Sequence, residues 1–286
     1  MIQSLTRTCA KEEGDVEMRI TVLVVLYNQD LNSIGCLETA LKSRCVAQIV
    51  VCDNSTQVNK NADQAAELGV CYLPMGGNKG LSIAYNVGVA ACTGDVICVF
   101  DDDTVVGDDY FEAVSELYEF NQKWDVALPL VMSGPDVLSP CEFDGYRAHP
   151  FSSPSEVRES SRLSGINSGM AVRRSVFSRV HYDERLFLDL VDHQFIQDVK
   201  AVGLKVVYLK GPVLKQNFSL ETDSVYQAAN RLRIFKRDAR IFYSPSLAKR
   251  AYCEIMLTWR KAKLSKRYGL IRLRKNASMQ ERNDRI

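Results

Sequence analysis

Long apolar stretches are missing from this sequence. The longest uninterrupted run, Val22 to Tyr27, is far shorter than the ~18 residues that a membrane-spanning helix needs. No span of a bilayer is expected. A CxxC pair is also missing, and the nine cysteines, at positions 9, 36, 45, 52, 71, 92, 98, 141 and 253, are odd in number and sit mostly inside apolar runs. They read as reduced core residues of a cytosolic protein, not as a disulfide or zinc framework. No Ser-His-Asp order, GxxxxGK(S/T) loop or HExxH occurs, which removes the commonest hydrolase and NTPase readings. Residues 1–18 carry Arg7 and Lys11 with no apolar segment before an acidic patch, so they read as a loose tail and not as a secretory signal. No internal repeat is visible.

With 286 residues, 46% hydrophobic and 25% charged, the chain has an ordinary globular composition. It lies at the length, ~250–300 residues, where a single core stops growing. One large domain with an appendage is expected. The net charge of +1 hides an asymmetry, because residues 231–275 hold 15 Lys and Arg against only Asp238 and Glu254. That basic stretch is either a solvated helix face or a contact for an anionic partner, such as a membrane surface or an acidic substrate.

Residues 20–26 form a continuous, largely β-branched run, the pattern of a strand covered on both faces. Helical and strand patterns then alternate: helix near 31–43, strand 48–52, helix 60–68, strand 69–73, helix 79–91, strand 95–100. This predicts an α/β, Rossmann-like domain with a mostly parallel central sheet and a C-terminal helical extension. Ligands of such sheets gather beyond the carboxyl ends of the strands, where Tyr27-Asn28, Asp53-Asn54-Ser55 and Asp101-Asp102-Asp103 fall. A helix near 108–121 and a strand at 125–131 follow. Residues 133–164 read as a long loop. Beyond it a helix is expected from about Ser175, another from about Leu190 to Val202, a strand from Lys205 to Leu209, and two long helices over 221–268. The last helix has apolar residues at 252, 255, 256 and 259 among Arg and Lys, an amphipathic pattern. The expected division is a catalytic domain at 19–220, with a nucleotide-binding half at 19–131 and an acceptor half at 132–220, followed by a basic helical extension at 221–286.

Three adjacent carboxylates after a buried strand repel one another unless a cation or hydrogen-bond donors neutralise them. Oxygen-only ligands favour Mg²⁺ or Mn²⁺. In an extended chain Asp101 and Asp103 share one side, so that pair is the candidate metal site. A helix N-cap cluster is the competing reading, but Asp108 and Asp109 are expected to fill that role. Asn78-Lys79-Gly80, after a Gly-Gly pair, opens a helix and is expected to offer free backbone N–H groups to an anion. Asp53 is either a turn residue or an acceptor for the imide N–H of a pyrimidine.

Together, Val24-Val-Leu-Tyr-Asn28, Asp53-Asn-Ser55, Asn78-Lys-Gly80 with Tyr85-Asn86 and Gly88, Phe100-Asp-Asp-Asp-Thr104, Ser168-Gly169 and Phe187-Leu-Asp-Leu-Val-Asp192 resemble family 2 glycosyltransferases. The resemblance covers roughly residues 19–240 and is nearest to bacterial rhamnosyltransferases. It implies a nucleotide-diphospho-sugar transferase fold, inversion at the anomeric carbon and a dTDP- or UDP-sugar donor, with L-rhamnose favoured. By position it implies that Asp53 holds the base, Asp101 and Asp103 the metal and diphosphate, and Asp192 the proton of the acceptor hydroxyl. Tyr27, Asn28, Asn78, Lys79 and Asp102 complete the candidate donor site. The acceptor is expected to be a glycan or lipid-linked glycan, with no nucleic acid partner, and the site of action cytoplasmic, with peripheral contact at an anionic inner membrane face. The sequence departs from the family pattern at Gln216, where a His often follows the last strand, and at Gln194 and Asp198, in place of the usual Glu and Arg.

A nucleotidyltransferase and a catalytically idle binding protein on the same scaffold are the competing classes. The first would normally carry a Gly-rich, basic loop where Tyr27-Asn-Gln-Asp30 stands. Asp189, Asp192 and His193 compete as the base. Val191, Phe195, Val199 and Val202 recur at helical spacing, so a helix starts near Leu190, with Asp189 at its N-cap and Asp192 in its first turn. The helix N-terminus favours the ionised, proton-accepting form of Asp192. His193 has the better intrinsic pKa for work near neutrality.

Overall fold

The computed structural model describes residues 18–121, 123–216 and 225–268. Of the tail expected at 1–18, Met18 is buried in the core and residues 1–17 lie outside the described residues, as do residues 217–224 and the basic stretch beyond 268.

The continuous apolar runs form the parallel core. Strand β1 (Ile20–Leu26) is buried along its whole length. It pairs in parallel with β2 (Val46–Asp53) on one side and β4 (Val96–Asp101) on the other, and β3 (Cys71–Pro74) pairs with β2. Helices α1 (Leu37–Lys42), α2 (Asn61–Leu68) and α3 (Leu81–Ala91) connect these strands. Next come β5 (Thr104–Val105), α4 (Asp109–Phe120) and β6 (Val126–Ser133), onto which β7 (Asp136–Ser139) folds back. Strand β11 (Met170–Arg173) lies antiparallel between β4 and β6, and β12 (Val206–Gln216) runs parallel to β6 and meets β5 at its end. The sheet order is β3-β2-β1-β4-β11-β6-β12-β5. Alternate residues of β1 enter opposite cores: Leu23 and Val25 pack with Tyr85 and Phe195, whereas Val22 and Val24 pack with Tyr110, Phe111 and Trp124. Both faces are covered, which is why the run reads as continuously apolar.

The stretch at 133–164 is not the loop its Ser, Pro and Gly content predicts. Besides β7 it forms β8 (Cys141–Phe143), β9 (Ala148–Pro150) and β10 (Leu163–Ser164), joined as a small antiparallel sheet. Strands of two to four residues are too short to display a period. The helix expected from Ser175 is a 3₁₀ segment, Arg174–Ser178. Strand β12 runs past the expected end at Leu209, because a register shift between Leu209 and Val213, with Gly211 at φ 111°, lets the strand continue to Gln216. Asp108 does not cap α4 with its side chain, since its backbone already has helical dihedrals.

Helix α5 (Val191–Ala201) buries Val191, Phe195, Ile196 and Val199, while Val202, past its end, is exposed. Helices α6 (Val225–Phe242) and α7 (Leu247–Tyr268) pack against the same core through Phe235, Phe242, Cys253 and Leu257. Of the apolar positions expected to form one face of α7, Tyr252 and Met256 join that core, whereas Ile255 and Trp259 are exposed. No helix among the described residues is long and apolar enough to cross a membrane. Cys36, Cys52, Cys92, Cys98 and Cys141 are buried, and burial pushes each thiol up to about 12.

Candidate active site

The carboxyl ends of β1, β2 and β4 open into a cavity of about 850 Å³, within the range of small-molecule sites. Tyr27, Asn28, Asn78, Asp101, Asp102, Asp103 and Asp192 all line it, so most of the expected residues converge. Asp189, His193, Gln216 and Arg231 line it too.

Asp101 ends β4 and is held from two sides. Oδ1 accepts the Tyr85 hydroxyl at 3.0 Å and Oδ2 the Ser168 hydroxyl at 2.7 Å. Tyr85 is itself buried and stacked on Tyr182 with ring centroids 5.0 Å apart. Ser168 precedes Gly169, whose φ of 78° favours glycine and where a Cβ would stand 2.3 Å from Leu214 Cδ2. Burial pushes the Asp101 carboxyl up to about 6; the two hydroxyls oppose that rise and Asp103 adds to it. Asp102 accepts the Tyr27 N–H at 3.3 Å, and Asp103 accepts the Gln216 amide at 3.0 Å. Burial raises both of these carboxyls as well. The Gln216 Oε1 atom is buried and has no hydrogen-bond partner among the described residues.

Two expected donor contacts stand elsewhere. Asp53 is buried outside the cavity lining, and its carboxylate accepts Ser55 N–H, the Asn59 and Asn61 amides and the Tyr72 hydroxyl, at 2.7–3.0 Å. It ties β2 to α2 and β3. Lys79 also lies outside the lining. Three of the N–H groups expected to be free at the start of α3 are occupied: Lys79 donates to Asn54 Oδ1, Gly80 to Asn78 Oδ1 and Leu81 to the Phe187 carbonyl. At Asn28 the backbone is left-handed, φ 52°, and its side-chain oxygen accepts the Thr56 and Gln57 N–H groups. That places Asn28 as a brace between the first two strand ends.

Asp192 lies in the first turn of α5, as the spacing predicts, and its Oδ1 accepts the His193 N–H at 2.7 Å. Asp189 is not the N-cap. Leu190 takes that place with φ 65°, while Asp189 Oδ1 accepts from Arg231 at 3.2 Å. His193 Nδ1 is 2.8 Å from Ser164 Oγ, and its ring stacks on Phe143. Sequence reasoning passed over Arg231, Tyr85, Ser168 and Asp238 as individual actors. Tyr85 and Ser168 did stand inside the family-like motifs, and Asp238 was visible as one of two acids in a basic run.

The cavity is therefore strongly acidic: Asp101, Asp102, Asp103, Asp189 and Asp192 face Arg231, which Asp189 already engages. Among the described residues no three His, Cys, Asp or Glu side chains converge as a ready metal cluster. The model of glycosyl transferase family 2 matches residues 21–180, more than half of the chain. The chain belongs to that family. This glycosyltransferase carries Asp192, Gln216 and α6 beyond the matched residues. Among curated protein sequences none matches it.

Solved structures share its fold. GalNAc-T7 with UDP, GalNAc and Mn²⁺ aligns at a TM-score of 0.59 and 15% identity, over 90% of this chain and 59% of that one. Mannosyltransferase PcManGT from Pyrobaculum calidifontis, in complex with GDP-Man and Mn²⁺, aligns at 0.58 and 12%, over 94% and 81%. S. aureus TarS 1–349 aligns at 0.52 and 14%, over 88% and 73%. The glycosyltransferase thus spans somewhat more than half the length of GalNAc-T7.

Proposed function

We propose that this chain transfers a sugar, L-rhamnose favoured, from a dTDP- or UDP-sugar to a hydroxyl of a glycan or lipid-linked glycan, with inversion. The observation that carries the reading is the acidic cavity at the carboxyl ends of β1, β2 and β4. A nucleoside diphosphate is anionic and would be repelled by five carboxylates unless a divalent cation came with it.

The residues present fit Mg²⁺ or Mn²⁺. Gln216 Oε1 is a buried oxygen that meets no donor among the described residues, beside Asp103, and both are hard oxygen ligands. Asp101 and Asp103 are the candidate carboxylates, and Asp103 with Gln216 is the pair that keeps an open oxygen. When bound, the cation supplies charge stabilisation to the departing diphosphate, greater in the transition state than in the ground state. Tyr85 and Ser168 fix the Asp101 carboxylate through their hydroxyls. Asp192 takes the proton from the acceptor hydroxyl as it attacks. Tyr27 and Asn28 flank the donor, and Asn78 closes the cavity near α3.

The acceptor reading includes peripheral contact with an anionic membrane. Helix α7 exposes Leu247, Ile255 and Trp259, and Lys263 lies over the Trp259 ring. This combination of apolar and cationic side chains suits a lipid headgroup layer. The deciding experiment for the central reading is a panel of nucleotide-sugars incubated with and without Mn²⁺. Release of nucleoside diphosphate only with the metal supports the proposal. A chain that consumes none of them, with or without a glycan acceptor, is not the proposed transferase.

A further inference from the structure

The basic helix α6 also holds the loop that leads to Asp192. Asp238 lies on its buried side, beside Phe235 and Phe242, and is fully buried. Its carboxylate accepts three successive backbone N–H groups: Phe187 at 3.1 Å on Oδ1, and Leu188 at 2.8 Å and Asp189 at 2.9 Å on Oδ2. Only an ionised carboxylate offers two acceptor oxygens and no donor, so no uncharged side chain of this size satisfies all three.

The next residue, Leu190, sits at φ 65°, a left-handed conformation that a leucine adopts only when its surroundings impose it. Asp192 follows two residues later. The same loop is tied at its other edges, through the Phe187 carbonyl to Leu81 N–H at 2.6 Å and through Asp189 to Arg231. Each tie fixes backbone, so the start of α5 is set by contacts remote in sequence.

We propose that Asp238 is a positioning residue for the transfer reaction: it holds 187–190 in the conformation that begins α5 and so aims the Asp192 carboxylate into the cavity. The proposal rests on the reading of Asp192 as the base. It gives the C-terminal extension a catalytic purpose separate from any membrane contact.

The test is Asp238→Asn, which keeps the volume but turns one acceptor into a donor facing an N–H group. Turnover of the nucleotide-sugar selected by the donor panel is measured alone and in the Asp192→Asn background, with dTDP and UDP plus Mn²⁺ as binding probes. The expected result is a kcat loss of ~100-fold, the order that a misplacement of about 1 Å costs, with nucleotide affinity essentially unchanged. In the Asp192→Asn background the added change leaves the residual rate where it was, since the two act through one group. A wild-type kcat, or an equal loss in both backgrounds, overturns the proposal. An Asp192→Asn enzyme as fast as wild type removes the base reading itself, whereas an inactive Asp192→Asn with a fully active Asp238→Asn removes only the positioning role. Should Asp238→Asn not fold, amide exchange in the wild-type protein decides. The N–H groups of 187–189 are expected to be strongly protected, and exchange at open-loop rates overturns the proposal.

Discussion

Replacing Asp101 by Asn should make the metal-free protein more stable while removing its activity. Burial lifts this carboxyl from 3.8 to about 6, so the folded state holds a proton more tightly than the unfolded chain. The sign follows from linkage: the penalty is absent below pH ~4, grows as pH rises through the window up to about 6, and is complete above it. The rise of about two pH units corresponds to about 3 kcal/mol of lost stability at pH 8. Asn carries no charge and escapes that penalty. Its amide must meet one of the two hydroxyls now donating to Asp101, and Ser168 can turn to accept it; allowing about 1 kcal/mol for the poorer fit leaves a net gain of about 2 kcal/mol. For a chain of this size that is about 4–8 °C in Tm. The assay is thermal or urea unfolding of both proteins with a chelator present, at pH 8 and in steps down to pH 4. The stability gap should close as the pH falls. A variant that melts at or below wild type at pH 8, with a gap independent of pH, would refute the reasoning and show that the hydroxyl contacts outweigh the desolvated charge.

Asp103→Asn should abolish Mn²⁺-dependent nucleotide binding and transfer, measured by calorimetry and diphosphate release; full turnover without added metal counts against the metal site. Asp192→Asn should lose nearly all transfer yet still bind dTDP or UDP with Mn²⁺, while His193→Ala keeps measurable turnover; the reverse ranking makes His193 the base. Gly169→Ala should destabilise the fold by about 2–4 kcal/mol in urea titrations, since it adds left-handed strain to a clash with Leu214, and wild-type stability would contradict the packing. The chain should co-sediment with phosphatidylglycerol vesicles at low salt and be released at high salt, because each basic residue at such a surface contributes ~1 kcal/mol. Trp259→Ala should weaken that binding, and no binding at low salt rules the membrane contact out.

The parallel core was legible because its physical cause is local. Strands covered on both faces need apolar residues at nearly every position, and Ile20–Leu26, where Thr21 is the one polar residue, and Val96–Phe100 supply them. The polar residues after those strands then fall at one end of the sheet by topology alone, which is why Tyr27, Asn28 and the Asp101–Asp103 triplet meet in one cavity. The short strands at 136–164 were not legible, since strands of two to four residues are defined by their pairing and show no periodicity.

The other misreadings share one cause. Asp189 has the right residue type and spacing for an N-cap, and Asn78-Lys79-Gly80 the right composition for an anion cradle, but both rules weigh only residues close in sequence. At the start of α3 the Lys79 and Leu81 donors go to Asn54 and Phe187, while before α5 the left-handed Leu190 takes the N-cap place and the Asp189 side chain turns to Arg231. Such partners lie from 25 to more than 100 positions away in the chain. The one trace a sequence could have offered was Asp238 itself, an acid inside a helix of cations, at a register shared with Phe235, Ala239 and Phe242. A buried carboxylate survives only where donors meet it. An acidic residue on the apolar side of an otherwise basic helix therefore marks a place where another segment must dock with free backbone N–H groups, and here that segment is the one that carries the candidate base.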